Sequence, residues 1–105
     1  MLTFNTNNPS SCGIVEVDKN NVVRSFYEKN PSPPGNLANG AIYVFEYSFV
    51  NWIKNNFPTS KDFSTEIIPN LIGKIYAHKT ESIFIDIGTK ENLELANRLS
   101  INAKY

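Results

Sequence analysis

Short apolar runs alternate with polar breaks rich in asparagine and proline, and the breaks set the elements. Residues 1–5 predict a short strand. Thr6-Asn7-Asn8-Pro9-Ser10-Ser11 is a polar interruption with a proline and predicts a loop. Gly13-Ile14-Val15-Glu16-Val17-Asp18 alternates well enough for a half-buried strand. Asp18-Lys19-Asn20-Asn21 is turn chemistry, because Asn and Asp tolerate left-handed backbone. Residues 22–28 then complete a β-hairpin. Pro31, Pro33 and Pro34 lack the donors a ladder needs, so residues 30–35 predict a loop. Strand character returns over residues 37–45, centred on Ile42-Tyr43-Val44-Phe45.

Phe49, Trp52, Ile53 and Phe57 recur at helical spacing, predicting an amphipathic helix over residues 47–56 that Pro58 ends. Asp62-Phe63-Ser64-Thr65-Glu66 offers N-cap residues and early negative charge for a second helix. Its apolar face would be Ile67, Ile68, Leu71 and Ile72. Pro69 would kink it or mark a late start, and Gly73 would cap it. Residues 74–79 and 82–87 predict two more strands. Thr89 is a plausible N-cap for a last helix with Leu93, Ala96 and Leu99 as its buried stripe. The mixture predicts α+β organisation for the piece in isolation, or part of an α/β sheet, with about three helices on a mixed β-sheet.

The chain has 105 residues, 41% hydrophobic and 12% aromatic, enough for one small core and too much for a disordered tail. Ten basic residues balance ten acidic ones, which argues against a nucleic-acid binder working by counterion release. Cys12 is the single cysteine and His78 the single histidine, so neither an internal disulfide nor a Cys- or His-rich metal site can form. There is no apolar run of membrane-spanning length and no basic, apolar leader, so the expected compartment is cytoplasm. Abundant Asn, Lys, Ile, Phe and Tyr with no Gln is what an AT-rich, bacterial coding sequence would give.

Local chemistry narrows to a few positions. Asp86 closes an apolar run before Gly88-Thr89 and the last helix, where α/β sheets bind ligands. It suits a hard cation such as Mg²⁺, or it is a solvated turn carboxylate. Glu28-Lys29 ends the second hairpin strand. A carboxylate can accept from neighbouring sugar hydroxyls and an ammonium can meet a phosphate, or the two form an exposed ion pair. Asn39 and Gly40 could present an amide and an open backbone to a ligand, or be ordinary turn residues. Gly13 could admit a ligand or mark a bulge. Cys12 reads as a small packing residue.

Taken in order, Ser10 to Asp18, Phe26-Tyr27-Glu28-Lys29, Asn36 to Phe45, Asp62 to Glu66, and Phe84 to Thr89 resemble the C-terminal half of sugar-1-phosphate nucleotidylyltransferases. Pro33 to Tyr43 looks most like the heptose-1-phosphate branch, with mannose-1-phosphate guanylyltransferases close by. The resemblance implies the C-terminal half of a Rossmann-like nucleotidyltransferase fold. It implies a reaction in which sugar 1-phosphate and nucleoside triphosphate give nucleotide-sugar and pyrophosphate, here with GTP for bacterial glycan synthesis. It also implies that Glu28 binds sugar hydroxyls, Lys29 contacts the sugar phosphate, and Gly13, Asn39 and Gly40 line the sugar pocket. Asp86 would help to hold Mg²⁺.

The sequence departs from the family pattern in two small ways and one large one. Asn30 stands between Glu28-Lys29 and Pro31, where the family usually has proline at once. Asn39-Gly40-Ala41 replaces a common Asn-Ala-Gly. The Gly-rich loop that cradles the triphosphate and an earlier metal aspartate do not occur. Residues 1–105 are therefore expected to be the sugar-phosphate half without its nucleotide-binding half, inactive alone. A non-catalytic, oligomeric interaction module derived from that half is the alternative. An open sheet edge makes homo-oligomers a hazard.

Overall fold

The computed structural model describes residues 1–102. Five strands form one mixed sheet: β1 (Leu2–Asn5), β2 (Gly13–Val17), β3 (Val23–Glu28), β4 (Leu37–Asn39) and β5 (His78–Lys79), in the order β3-β2-β4-β1-β5. Every pairing is antiparallel except β1 with β5. The two α-helices are α1 (Tyr47–Asn56) and α2 (Lys90–Ile101). Between them runs a wide π-type turn, Phe63–Ile67, followed by a 3₁₀ turn, Ile68–Asn70. This is the mixed α/β arrangement expected from the sequence.

The hairpin follows its turn chemistry. Asn21 adopts φ 61°, and Asp18 Oδ1 accepts from the N–H groups of Asn20 (2.8 Å) and Val22 (3.1 Å). Consecutive strand residues face opposite sides of a sheet, so burial of both Ile14 and Val15 means that both faces of β2 are covered. Val15, Val23 and Ala77 form one cluster, flanked by Phe26, Leu37 and Ile75. The stretch after Gly73 (φ 86°) laces across the sheet. Val23 N–H donates to Ile75 O (2.9 Å), Ala77 N–H to Asn21 O (2.8 Å), and His78 N–H to Met1 O (2.9 Å).

Five expectations need correction. The strand expected over residues 74–79 is reduced to His78–Lys79, because only these residues pair with β1. The strand expected over residues 37–45 stops at Asn39, because Ala41 turns left-handed (φ 56°) and breaks the ladder; Val44 is 93% exposed. The second helix is irregular: Pro69 has no N–H to continue an α-helical ladder, so the backbone tightens into the 3₁₀ turn. Its expected apolar face nevertheless holds, with Ile67, Ile68 and Leu71 buried. Residues 82–87 form no strand; Phe84 instead stacks on Phe4 at 4.7 Å. Finally, Thr89 does cap α2, accepting from Asn92 N–H at 3.1 Å, but the stripe it was expected to bury is not buried and Leu93 is exposed. Helix α1 likewise contributes no buried residue.

Candidate functional site

Gly13, Glu28, Lys29, Asn39, Gly40 and Asp86 all line one open cleft of about 500 Å³. Strand pairing explains most of this. Gly13 stands opposite Glu28 in the β2–β3 register, and Ile14 pairs with Ala38, which brings Asn39 alongside. Lys29 N–H donates to Cys12 O at 3.1 Å, and Lys29 itself adopts φ 47°. The chain thus bends sharply just past β3, with Lys29 at the cleft wall. Phe84 packs on Phe4, and residues 84–87, with Asp86 among them, join the lining of the same cleft.

Both glycines are where a side chain does not fit. A Cβ on Gly40 would approach Phe84 Cζ at 3.1 Å and Leu2 O at 3.2 Å. One on Gly13 would meet Glu28 Oε2 and the Phe26 ring at 2.8 Å. At both positions the space that a Cβ would take is occupied by the protein's own atoms.

The Asn39 amide is oriented from two sides. Its Oδ1 accepts from Ala41 N–H (2.9 Å), and its Nδ2 donates to the Tyr43 hydroxyl (2.7 Å). Burial holds the Tyr43 phenol above its ordinary pKa, so it is neutral across the physiological range. Ser64 also lines the cleft. Its placement comes from a reciprocal cap. Asp62 Oδ1 accepts from Thr65 N–H (3.0 Å), and Glu66 Oε2 accepts from the N–H groups of Lys61 and Asp62 (2.7 Å each). The expectations from sequence passed over Tyr43 and Ser64 as site residues. The available signals were a tyrosine within an apolar run, whose hydroxyl needs a partner when buried, and a serine inside a capping sequence.

Asp86 is exposed. Its Oδ1 accepts from Gly88 N–H at 2.8 Å, and its carbonyl accepts from Asn92 Nδ2 at 2.8 Å. One carboxylate oxygen is thus tied into the turn and Oδ2 has no hydrogen-bond partner among the described residues. Among these residues no group of three or more His, Cys, Asp and Glu side chains is placed to hold a metal. Asp86 Oδ2 is thus the one oxygen of this carboxylate left for a hard cation, where the resemblance implies a second aspartate as well.

A larger groove of about 670 Å³ lies elsewhere, walled by aromatic side chains including Tyr43, Phe45, Phe49, Trp52 and Phe63, and none of the expected binding residues lines it. Glu46 and Lys74 line the larger groove, but Glu28, Lys29, Asn39 and Asp86, the polar residues expected to bind, all line the smaller cleft, which makes it the candidate ligand site.

The Nucleotidyl transferase family model matches residues 1–102. The chain belongs to the nucleotidyl transferase family. Glucose-1-phosphate adenylyltransferase of Clostridium acetobutylicum is 32% identical over 98 residues, covering 87% of this chain and 26% of that protein. The enzyme of the same name from Fervidobacterium nodosum is 37% identical over 95 residues, covering 79% and 23%. That from Thermotoga neapolitana is 34% identical over 99 residues, covering 82% and 23%. This nucleotidyl transferase chain therefore spans about a quarter of the length of these relatives. They support the resemblance at the level of sugar-1-phosphate nucleotidyltransferases. Guanylyl transfer to heptose or mannose draws no support from them, since they are named for glucose and adenylyl transfer. Among the described residues no helix is long and apolar enough to cross a membrane.

Proposed function

We propose that this chain supplies the sugar-phosphate side of a sugar-1-phosphate nucleotidyltransferase. The observation that supports this reading is the meeting of Glu28, Lys29, Gly13, Asn39, Gly40 and Asp86 around one cleft. Glu28 accepts from sugar hydroxyls, the Asn39 amide donates to another, and Lys29 neutralises the phosphate. In the reaction a phosphate oxygen of the sugar phosphate attacks the α-phosphorus of the nucleoside triphosphate. The new P–O bond forms as the bond to the pyrophosphate leaving group breaks. Such a step needs alignment and charge neutralisation more than covalent help. Mg²⁺, bound through Asp86, would supply charge neutralisation at the phosphates. Triphosphate binding is assigned to residues outside this chain.

For the sugar, the names of the relatives favour glucose 1-phosphate with ATP as nucleotide. The heptose or mannose reading with GTP rests on residues 33–43 alone. A titration of the isotope-labelled chain with glucose 1-phosphate, mannose 1-phosphate and a heptose 1-phosphate tests all three. Glucose 1-phosphate is expected to move the backbone signals of Gly13, Lys29, Asn39 and Gly40, and Glu28→Gln to weaken the response. If no sugar phosphate moves them, the cleft is not a sugar-phosphate site.

A second reading, a non-catalytic oligomeric module, draws on the aromatic groove and on α1 and α2, neither of which buries a residue. Sedimentation separates the two: a monomer at high concentration counts against the module.

A further inference from the structure

The Asn39 amide has a fixed orientation, and the direction of its hydrogen bonds can be followed outward. A backbone N–H can only donate, so Ala41 N–H forces the Asn39 oxygen to face it (2.9 Å) and the NH₂ to face away. One N–H of that group then donates to the Tyr43 hydroxyl oxygen at 2.7 Å. The Tyr43 oxygen is thereby an acceptor, and its own proton must go elsewhere. The Tyr43 ring cannot swing away easily. It packs on Phe63 at 4.8 Å and on Phe45 at 5.7 Å and so belongs to the aromatic groove, while its oxygen accepts from Asn39, which lines the polar cleft.

We propose that Tyr43 is a positioning residue for the sugar-phosphate cleft: its anchored hydroxyl holds the Asn39 amide so that the other N–H of that amide is presented as a donor to a bound sugar phosphate. This rests on the reading of the cleft given above. The ligand groups it selects are acceptors, either phosphate oxygens or hydroxyl lone pairs. The acceptor Glu28 on the cleft wall takes the hydroxyl protons. Tyr43 itself need not touch the sugar.

Tyr43→Phe removes one oxygen and keeps the ring, so the packing on Phe63 and Phe45 survives. The test uses the full 105-residue chain with glucose 1-phosphate as probe, and follows the Asn39 side-chain NH₂ signals by NMR. In Tyr43→Phe these signals are expected to shift and broaden as the amide gains freedom. Affinity should fall about five- to tenfold, the order of one ordering hydrogen bond. In an Asn39→Ala background, Tyr43→Phe should cost nothing more, because its effect passes through the amide. Sharp, unmoved Asn39 signals in Tyr43→Phe overturn the proposal. So do independent, multiplying losses for the two substitutions. If the unsubstituted chain does not bind glucose 1-phosphate, the substrate reading has failed, and the NH₂ signals alone still decide whether Tyr43 holds Asn39.

Discussion

Gly13 faces Glu28 across the β2–β3 hairpin so closely that a Cβ on Gly13 would lie 2.8 Å from Glu28 Oε2 and from the Phe26 ring. The carboxylate is the end of a flexible, exposed side chain and can give way. The half-buried Phe26 ring is held by the core cluster and can give less. Gly13→Ala is therefore expected to push Glu28 out of the cleft. It should weaken glucose 1-phosphate binding at least tenfold and destabilise the fold by about 1–3 kcal/mol, the usual cost of overpacking. Calorimetric titration and urea unfolding measure the two effects. Unchanged binding would show that the place of Glu28 beside Gly13 is incidental.

Ala41 carries the opposite lesson. Its φ of 56° is a conformation that an L-residue other than Asn or Asp adopts at a cost of roughly 1–2 kcal/mol. Glycine removes that strain but loses about 0.5–1 kcal/mol to added freedom in the unfolded chain. Ala41→Gly should thus stabilise the protein by up to about 1 kcal/mol, read as a raised urea midpoint, with the Asn39 Oδ1 to Ala41 N–H bond kept.

These two positions also mark what the sequence made legible. The hairpin could be read because alternation and Asn21 turn chemistry agree, and its register then brings Gly13 to Glu28. The end of β4 could not: Ile42-Tyr43-Val44-Phe45 has strand composition, but the left-handed turn at Ala41 removes it from the ladder. Apolar pattern likewise marks residues 82–87 as strand-like, whereas a strand exists only where a neighbour pairs with it. The stripes of α1 and α2 show sidedness in sequence without showing what they cover. Asn39 was singled out through the resemblance, since its residue type alone also fits an ordinary turn; Tyr43, which its amide meets, was not, because their contact depends on the turn between them.

Thr3 is fully buried and its Oγ1 has no hydrogen-bond partner among the described residues. A buried hydroxyl without a partner carries its desolvation cost unrepaid. Thr3→Val keeps the branched shape and removes the oxygen. It is expected to raise stability by about 1 kcal/mol in urea unfolding, and a loss of stability would show that the hydroxyl is satisfied in solution.

Asp18 sets a pH dependence. The Val22 N–H, then the Arg24 side chain at 2.8 Å, hold its carboxyl below the ordinary value. Since the folded-state pKa is the lower one, its contribution is present above the unfolded value, near 3.9, and is lost as pH falls through the folded value. Unfolding midpoints measured from pH 5 to pH 2 should therefore fall more steeply for the unsubstituted chain than for Asp18→Asn. Parallel curves would count against any role for Asp18 in acid stability.

Asp86 tests the metal. Asparagine at this position keeps the size, and its side-chain oxygen can still accept from Gly88 N–H, the 2.8 Å bond that shapes the turn before α2. The residue is exposed, so Asp86→Asn should leave the unfolding midpoint nearly unchanged. It removes the charge that a hard cation seeks. Because no group of three or more metal-ligating side chains meets among the described residues, binding should need the sugar phosphate to complete the shell. Mn²⁺ as a paramagnetic stand-in for Mg²⁺ gives a direct readout. With glucose 1-phosphate present it should broaden the NMR signals of residues 85–88, with the sugar phosphate omitted the broadening should be weak, and in Asp86→Asn it should vanish. Broadening that survives the substitution would assign Asp86 to the turn alone and place the cation elsewhere.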